Sequence, residues 1–237
     1  MSPAKILVVD DDPAIRNLIL RFLSQKNYQM ESADHGKAAL EIFSQFNPDL
    51  VILDVNLPDA LGYNLCEEMQ KRTDVFVLML TSRTDTEDKA TGFRKGADDY
   101  LTKPFDLQEL EFRVSAILKR HRTVTPSPTK QPLVFDFLTI DPERREVKVS
   151  GNIVQFTALE FDLLYFLASR PGQALSRPIL INEVWDYSEI VGDQRVVDVH
   201  IGQIRKKIEV DSSKPSLIKT IRGYGYRFEP PEPESDH

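Results

Sequence analysis

A run of four aliphatic residues, Leu-Val-Ile-Leu at residues 50–53, ends in the carboxylate of Asp54. Such a run is typical of a central strand in a parallel sheet, because helices cover both of its faces. Pro58 then indicates a turn, so Asp54 lies at the carboxyl end of the strand. Ligands bind along that edge in open α/β sheets, which makes Asp54 a candidate functional acid, although an isolated Asp there is more often a turn or cap residue.

Apolar strands and amphipathic helices alternate through the first half of the chain. Strands are predicted at residues 5–10, 29–33, 50–54, 75–80 and 100–101, and helices at residues 13–26, 36–46, 63–71, 86–95 and 106–120. This alternation predicts an α/β fold with a doubly wound, five-stranded parallel sheet. In such a sheet the first and third strands are neighbours at the point where the strand order reverses.

The predicted sheet brings acids from two strand ends, Asp10, Asp11 and Asp54, into one crevice. Three like charges repel strongly unless a cation joins them, and oxygen ligands with room for water suit Mg²⁺. A carboxylate beside Mg²⁺ can attack phosphorus, because the metal neutralises the phosphoryl oxygens. Thr81 and Lys103 follow the fourth and fifth strands and would add a hydroxyl and a cation, although each alone is more often a turn or surface residue.

Composition limits the number of domains, the kinds of cysteine site and the location that we expect for this chain. The chain has 237 residues, 41% of them hydrophobic, which is enough for two ordinary domains. The single cysteine, Cys66, excludes an intramolecular disulfide and a multi-cysteine zinc site. The N-terminus leads directly into a strand, and no apolar run approaches the length that spans a bilayer, so we expect a cytoplasmic protein without a membrane partner.

Charge is unevenly distributed along the chain. The net charge of −7 argues against general coating by nucleic acid, yet the stretch from residue 195 to residue 227 carries eight Lys or Arg and three Asp or Glu. Residues 122–132 are rich in proline and hydroxyl residues and predict a semi-rigid linker between domains at residues 1–121 and 133–229. The acidic, proline-rich tail at residues 230–237 is predicted to be disordered.

The second domain is predicted to combine short strands with helices. Strands at residues 133–137, 146–149 and 153–156 indicate a small antiparallel sheet. Thr157 and Glu160 form a capping box that begins a strongly apolar helix. A further helix begins near Ser176 and carries Trp185, which is most simply a core residue.

A basic helix is predicted at residues 195–207 and a β-hairpin at residues 220–228. The polar side chains predicted to project away from the apolar stripe of the helix are His200, Gln203, Arg205, Lys206 and Lys207. Gly202 costs about 1 kcal/mol against Ala in mid-helix, so it is either a tolerated surface residue or a point of close approach to a partner. A basic helix is often only a solvated face, but one beside a hairpin that carries Arg222 fits reading of the DNA major groove.

Residues 4–121 resemble a response-regulator receiver domain of two-component signalling, with its CheY/flavodoxin-like fold. The residues that carry this resemblance are Asp10, Asp11, Asp54, Thr81, Tyr100 and Lys103 in Lys-Pro-Phe. The resemblance implies that Asp54 accepts a phosphoryl group from the phosphohistidine of a sensor histidine kinase. It also implies that Asp11, Asp54 and the Asn56 carbonyl bind Mg²⁺ directly, with Asp10 acting through water. Thr81 and Lys103 would contact the phosphoryl group, and Thr81 and Tyr100 would form the switch pair.

Residues 133–229 resemble the winged-helix output domain of the OmpR/PhoB family, which is an α+β fold. The matching motifs are Arg-Val-Val-Asp-Val-His at residues 195–200, Arg-Lys-Lys at residues 205–207 and Thr-Ile-Arg-Gly-Tyr-Gly-Tyr-Arg-Phe at residues 220–228. The resemblance implies binding to double-stranded promoter DNA, with RNA polymerase as a further partner. The residues implied in DNA contact are Arg195, His200, Gln203, Arg205, Lys206, Thr220 and Arg222. Relatives often carry basic residues where Gly202 and Gln203 stand, and Gln203 could read adenine or contact a phosphate.

The receiver resemblance also implies a homodimer after phosphorylation, formed through the surface at residues 86–120. The positions that match the ion pairs between subunits are Lys89, Asp98, Asp99, Glu109 and Arg113. Arg94 stands where relatives carry an acid, and it would face Lys119 or Arg120 as a like charge.

These features predict a phosphorylation-controlled DNA-binding regulator that is not an enzyme, beyond self-catalysed phosphorylation and dephosphorylation of Asp54. An aspartyl-phosphate phosphatase or phosphotransferase would share this chemistry, but such hydrolases carry Asp-x-Asp on the nucleophile strand and Asn56 takes the second place here. A DNA-binding protein independent of phosphorylation is a third possibility. The complete set of acidic, hydroxyl and lysine residues argues against it.

Overall fold

The computed structural model of the chain describes residues 3–73, 75–82, 95–122, 131–185 and 194–231. These residues belong to two units, Met1–Thr123 and Val124–His237, and each unit has its own apolar core. Most of the predicted helix at residues 86–95, with Lys89 and Arg94, lies outside the described residues, as do the side chain of Arg120 and most of the predicted linker and tail. The predicted repulsion at Arg94 therefore stays a prediction.

A parallel sheet with helices packed on it forms the N-terminal unit. Its strands, in the spatial order β2-β1-β3-β4-β5, are β1 (Lys5–Val9), β2 (Gln29–Ala33), β3 (Leu50–Asp54), β4 (Phe76–Thr81) and β5 (Asp99–Thr102). Its described helices are α1 (Pro13–Ser24), α2 (Gly36–Phe46), α3 (Gly62–Arg72) and α4 (Leu107–Arg122). Every strand pairing in this sheet is parallel, so the predicted doubly wound fold is confirmed.

The sequence pattern of each strand explains its place in the sheet. The aliphatic residues 50–53 of β3 are fully buried, as expected for a strand with helices on both faces. Edge strand β2 instead mixes exposed and buried positions. Helix α1 begins where predicted, because Asp12 accepts a hydrogen bond from the Ala14 amide at 2.8 Å and Pro13 occupies the first helical turn.

Two small sheets and three described helices make up the C-terminal unit. The antiparallel sheet β6-β7-β8-β9 contains β6 (Leu133–Phe135), β7 (Leu138–Asp141), β8 (Glu146–Val149) and β9 (Asn152–Val154). The helices are α5 (Ala158–Ala168), α6 (Arg177–Trp185) and α7 (Arg195–Ile208). The sheet β10-β12-β11 contains β10 (Leu175–Ser176), β11 (Ile218–Ile221) and β12 (Gly225–Phe228). The unit is a winged helix whose wing is the hairpin of β11 and β12.

Two strands of this unit were not predicted. The predicted strand at residues 133–137 is divided by a tight turn in which Asp136 has φ of 41°, and β7 pairs back on β6 through Phe135 and Leu138. A turn of this kind usually carries glycine, so Asp136 gave no clear signal. Strand β10 has two residues, too few for any periodicity. Among the described residues no helix is both long and apolar enough to cross a membrane.

Candidate functional sites

The first site is an acidic pocket at the carboxyl ends of β1 and β3, formed by Asp10, Asp11 and Asp54. Pairing of Val9 with Leu53 sets the two strand ends side by side. One carboxylate oxygen from each of the three acids lies within 4.8 Å of the others. Asp10 and Asp54 are 0% and 6% exposed, whereas Asp11 is exposed. The pocket is therefore buried at Asp10 and Asp54 and open to solvent at Asp11.

Lys103 reaches the pocket from the residue that follows β5. Its Nζ donates to Asp10 Oδ2 at 2.7 Å and to Asp54 Oδ2 at 2.6 Å. Burial works to lower the pKa of Lys103, but the hydrogen bonds to both acids outweigh it and raise the pKa, so the lysine stays charged. Burial raises the pKa of Asp10, and Lys103 opposes that rise. Lys103 is thus a counter-charge within the pocket. The peptide bond between Lys103 and Pro104 is cis.

Backbone groups hold the other oxygens of the two buried acids. The Asp12 amide donates to Asp10 Oδ1 at 3.0 Å, and the Asn56 amide donates to Asp54 Oδ1 at 3.0 Å. From α1, Arg16 Nη1 donates to the Asp10 carbonyl at 2.6 Å and so fixes the backbone beside that acid. These bonds orient both carboxylates before anything binds. Arg16 was not singled out from the sequence, because a surface-facing Arg on a helix carries no distinctive signal.

The loop between β3 and α3 is fixed at two points, Gly62 and Asp59. A Cβ atom at Gly62 would lie 2.1 Å from the Asp54 carbonyl oxygen, so only glycine allows the chain to pass this close to the acidic residue. At the other side, the Asp59 carboxylate accepts from the amides of Gly36 at 2.7 Å and Lys37 at 3.0 Å. These bonds hold the pKa of Asp59 below its usual value. Sequence reasoning missed Asp59 because its partners are 23 and 22 residues away.

Thr81 and Tyr100 occupy neighbouring strands near the pocket. Thr81 ends β4 and pairs with Thr102 of β5, and its carbonyl accepts from the Lys103 amide at 2.7 Å. Thr81 is 1% exposed and Tyr100 is 7% exposed. The structure therefore brings Thr81 to the same edge of the sheet as Lys103, and it buries Tyr100 two residues before the end of β5.

The acids expected at a subunit interface are engaged within the chain. Asp98 is fully buried and accepts from the Val77 amide at 2.7 Å. The prediction that Asp98 takes part in the ion pairs between subunits is contradicted by this burial, because the buried Val77 amide needs an acceptor and Asp98 supplies it. Arg113 donates to Asp99 Oδ2 at 2.6 Å and to Glu109 Oε1 at 2.8 Å. Asp99 and Arg113 are each 6% exposed.

Helix α7 and the wing form the second site, and two sets of hydrogen bonds join them. On the first turn of α7, Asp198 accepts from the Tyr226 hydroxyl at 2.6 Å and from Arg177 Nε at 2.7 Å. Two turns later, Arg205 Nη2 donates to the Ile218 carbonyl at 2.6 Å and to Thr220 Oγ1 at 2.8 Å. The helix and the wing are therefore fixed relative to each other.

Three of the side chains predicted to project from α7 instead make contacts within the C-terminal unit. His200 is 1% exposed and its ring centroid lies 5.6 Å from that of Trp185. Position 200 is four residues from the buried Val196 and Ile204, so it belongs to the apolar stripe, and the prediction for His200 is wrong. Arg205 forms hydrogen bonds to Ile218 and Thr220 of the wing. Lys207 forms an ion pair with Glu160 Oε2 on α5.

The remaining predicted contact residues lie at the surface of this unit. Arg195, Lys206, Thr220 and Arg222 are exposed, and Gln203 and Gly202 are partly exposed. Lys206 lies on the helix and Arg222 at the turn of the wing, so two basic side chains point to solvent from separate elements. Such an arrangement can reach both a groove and the phosphates beside it.

Tyr226 gives the second site a distinctive pH dependence. Burial and the hydrogen bond to Asp198 raise its pKa from 10.0 to about 12. Because the unfolded hydroxyl ionises first, the stability that Tyr226 contributes is complete below pH 10 and is lost as pH rises from 10 to 12. We expect the C-terminal unit to lose about 1 kcal/mol between pH 9 and pH 11, because pH 11 lies about one unit above the unfolded pKa, and Tyr226→Phe to lose much less.

Trp185 is the single tryptophan and is fully buried in the C-terminal unit, so its fluorescence reports unfolding of that unit in the intact chain. Urea unfolding at pH 9 and pH 11 measures the difference between parent and Tyr226→Phe. Other ionising groups affect both proteins alike. Equal losses in the two would show that Tyr226 is not the group responsible.

Comparisons with known proteins identify the family of each unit. Residues 6–115 match the response regulator receiver domain family, and residues 151–228 match the family described as transcriptional regulatory protein, C terminal. The probable transcriptional regulator ycf27 of Guillardia theta is 44% identical over 229 residues, covering 95% of this chain and 90% of that protein. The alkaline phosphatase synthesis transcriptional regulatory protein PhoP of Bacillus subtilis (strain 168) is 40% identical over 235 residues, covering 96% of this chain and 98% of that protein.

Solved structures of similar chains indicate the same class of protein. The response regulator DrrB, a Thermotoga maritima OmpR/PhoB homologue, is 36% identical, with 96% of this chain and 99% of that chain covered and a TM-score of 0.51. A mutant form of RitR is 27% identical, with 96% of this chain and 100% of that chain covered and a TM-score of 0.80.

A doubly wound receiver with an acidic pocket, followed by a winged helix, defines a response regulator with a DNA-binding output domain. The chain belongs to the OmpR/PhoB family of these regulators. It is a phosphorylation-controlled DNA-binding regulator of transcription, as the sequence predicts.

Proposed function

We propose that Asp54 accepts a phosphoryl group from the phosphohistidine of a sensor histidine kinase, and that this modification controls DNA binding. The observation that carries the proposal is the acidic pocket, in which three carboxylates converge and Lys103 contacts the acceptor at 2.6 Å. In this proposal residues 1–121 are the receiver, residues 122–132 the linker, residues 133–229 the output domain and residues 230–237 the tail.

The donor set of the pocket fits Mg²⁺. Three carboxylate oxygens lie within 4.8 Å of one another, and the exposed side of Asp11 leaves room for water ligands. Asp11, Asp54 and the Asn56 carbonyl would hold the ion, with Asp10 acting through water. Bound Mg²⁺ would neutralise charge on the phosphoryl oxygens.

The residues of the chain itself supply the rest of the chemistry. An Asp54 carboxylate oxygen forms the new bond to phosphorus as the bond from phosphorus to the histidine nitrogen breaks. The hydrogen bond from the Asn56 amide, at 3.0 Å, keeps that carboxylate oriented. Lys103 would neutralise the transferred group, and the Thr81 hydroxyl would donate a hydrogen bond to it. Thr81 and Tyr100 would then report the modification to the rest of the receiver. The chain turns over no separate substrate in this scheme.

DNA binding, the output of the regulator, is assigned to the surface of the winged helix. Phosphorylated receivers would pair as homodimers and bring two winged helices to adjacent half-sites of promoter DNA, where they act on RNA polymerase. The exposed Arg195, Lys206 and Arg222, together with Gln203 on α7, support this assignment of the DNA-binding face. Arg205 supports the same face indirectly, by holding Thr220 of the wing.

The test of this function is a footprint of the full chain on genomic DNA, with and without a small phosphodonor such as acetyl phosphate. We expect protected sites that appear or tighten with the donor. Asp54→Ala should give one footprint, the same with or without the donor. Protection that the donor leaves unchanged in the parent protein would contradict phosphorylation control, and a lack of any protected site would contradict DNA binding.

Gln203 is predicted to read one base pair. If its amide binds adenine in bidentate fashion, Gln203→Ala should relax the preference at that position by about 1 to 3 kcal/mol. Lys206→Ala should instead weaken binding to all sequences and lower the slope of log affinity against log salt by about one unit, since one phosphate contact is lost. Binding to a panel of single-base variants of one protected site separates the two effects. An unchanged preference in Gln203→Ala would mean that Gln203 does not read bases.

A further inference from the structure

Asp11 differs from the two other acids of the pocket in how its carboxylate is held. Asp10 and Asp54 each accept hydrogen bonds from Lys103 and from a backbone amide. Asp11 is exposed, and within the described residues no group donates a hydrogen bond to its carboxylate. The direction of the Asp11 side chain therefore depends chiefly on the backbone that carries it.

Arg16, on the first turn of α1, holds that backbone. Its Nη1 donates to the Asp10 carbonyl at 2.6 Å and to the Asp11 carbonyl at 3.4 Å. These two carbonyls belong to the peptide units on either side of the Asp11 Cα atom, and each peptide unit is planar. Fixing both planes leaves the torsion angles at Asp11 little freedom. Arg16 therefore sets the direction in which the Asp11 carboxylate leaves the chain.

The start of α1 in turn fixes Arg16. The Arg16 amide donates to the Asp12 carbonyl at 3.0 Å, and the Asp12 side chain accepts from the Ala14 amide at 2.8 Å. The Asp12 amide donates to Asp10 Oδ1 at 3.0 Å, which joins the helix to the floor of the pocket. A guanidinium on such a support can arrange a metal ligand in advance, so that less conformational entropy is lost when the ion binds.

The charge of Arg16 acts in the opposite direction. A guanidinium beside a cation site repels the cation, so on charge alone removal of Arg16 would strengthen binding of a divalent cation. Removal of the hydrogen bonds to the two carbonyls would instead weaken it. Position and charge therefore predict effects of opposite sign, and a measured affinity distinguishes them.

We propose that Arg16 is a positioning residue for the metal site, which holds the peptide units on both sides of Asp11 so that its carboxylate faces those of Asp10 and Asp54 before a divalent cation binds. This inference rests on the proposed Mg²⁺ site and adds a residue outside its ligands. Without Arg16 the Asp11 carboxylate takes other directions, and the cation binds more weakly. Phosphoryl transfer continues once the cation is bound, because Arg16 donates to carbonyls and not to Asp54.

The experiment compares Arg16→Met with the parent in the full chain, without a phosphodonor. The probe is Mn²⁺, which suits the same oxygen ligands as Mg²⁺, and free Mn²⁺ is measured by electron paramagnetic resonance. Displacement of Mn²⁺ by Mg²⁺ then gives the Mg²⁺ affinity. We expect both dissociation constants to rise about ten-fold, as when a group that orients a metal ligand is removed. Arg16→Lys keeps the charge and a donor and should recover part of the affinity.

Arg21→Met is the matched control. Arg21 is exposed in the last turn of α1, so this variant loses the same charge from the same helix. Its dissociation constants should stay close to those of the parent, because an exposed charge at this distance is screened. Asp11→Ala should lose most of the Mn²⁺ binding, which shows that the measured ion occupies the pocket.

Labelling by acetyl phosphate separates positioning from general damage. The Mg²⁺ concentration that gives half the maximal rate should rise about ten-fold in Arg16→Met, while the rate at saturating Mg²⁺ approaches that of the parent. Damage to the fold would lower the maximal rate as well, and circular dichroism of the metal-free protein would show a loss of helix. Arg16→Gln, with the same expected result, replaces Arg16→Met if that variant does not fold.

An Arg16→Met variant that binds Mn²⁺ as tightly as the parent, or more tightly, overturns the inference. So does a folded variant whose labelling stays slow at saturating Mg²⁺, because Arg16 would then act on phosphoryl transfer itself. A parent that binds no Mn²⁺ overturns the proposed metal site and this inference with it. Failure of phosphoryl transfer to Asp54 would contradict the proposed function alone, since the metal titration needs no phosphodonor and still decides the role of Arg16.

Discussion

Asp54→Ala is expected to abolish labelling of the protein by a small phosphodonor. Asp54 is the acid in the pocket that both contacts Lys103, at 2.6 Å, and ends the central strand β3. Asp11→Ala should keep the acceptor but lose the Mg²⁺ dependence of labelling together with most of its rate, because an exposed metal ligand is removed. The measurement is transfer of a radiolabelled phosphoryl group from acetyl phosphate to the protein. Release of the label by hydroxylamine identifies an acyl phosphate.

Asp12→Asn provides the control for this experiment. It removes a carboxylate one residue from Asp11, while asparagine can still cap α1 through the bond now made to the Ala14 amide. Labelling of Asp12→Asn should therefore stay close to the parent. If Asp54→Ala is labelled as fast as the parent, the acceptor is another residue and the proposed function has to be reassigned.

Loss of charge at two adjacent lysines on α7 is expected to have very different effects on stability. Lys207 pairs with Glu160, a carboxylate that is 4% exposed and also accepts from the Thr157 amide at 2.9 Å. Lys207→Met leaves that buried charge without its cation and should destabilise the C-terminal unit by about 3 kcal/mol. Lys206→Met changes an exposed charge and should alter stability by less than about 0.5 kcal/mol.

Urea unfolding of the full chain, followed by Trp185 fluorescence, measures both changes. DNA binding provides the complementary measurement, because Lys206→Met should weaken it while the fold stays intact. Glu160→Gln in the Lys207→Met background should recover part of the lost stability, since the uncompensated charge is then removed. Equal stability of Lys206→Met and Lys207→Met would contradict the internal role of Lys207.

The sequence is most informative where a residue type and its partner are close along the chain or in neighbouring strands. Asp54 is placed correctly because an aliphatic run specifies a buried parallel strand, and strand ends then meet at one edge. The capping box of Thr157 and Glu160 is present as predicted, because both partners lie within one helical turn. The pocket could therefore be assembled from strand order alone.

Side chains with distant partners could not be assigned in this way. Lys207 is 47 residues from Glu160, and Asp98 is 21 residues from the Val77 amide that it accepts from. A charged residue in such a pair has the same sequence signature as one that faces solvent. His200 was predicted to project to solvent because its side chain is polar. Its spacing of four residues from two buried neighbours instead indicates a buried position.

Arg113 shows how an internal pair alters the energetics of association. Its guanidinium already binds Asp99 and Glu109, and its side chain is almost completely enclosed. A second molecule that offers a carboxylate to this enclosed guanidinium competes with the two acids for its N–H groups, so partners are exchanged more readily than they are added. Exchange releases little net free energy, but it makes the bond within one chain compete with the bond between chains. A contact built on such residues is suited to rapid reversal, because each separated chain recovers its own pairs.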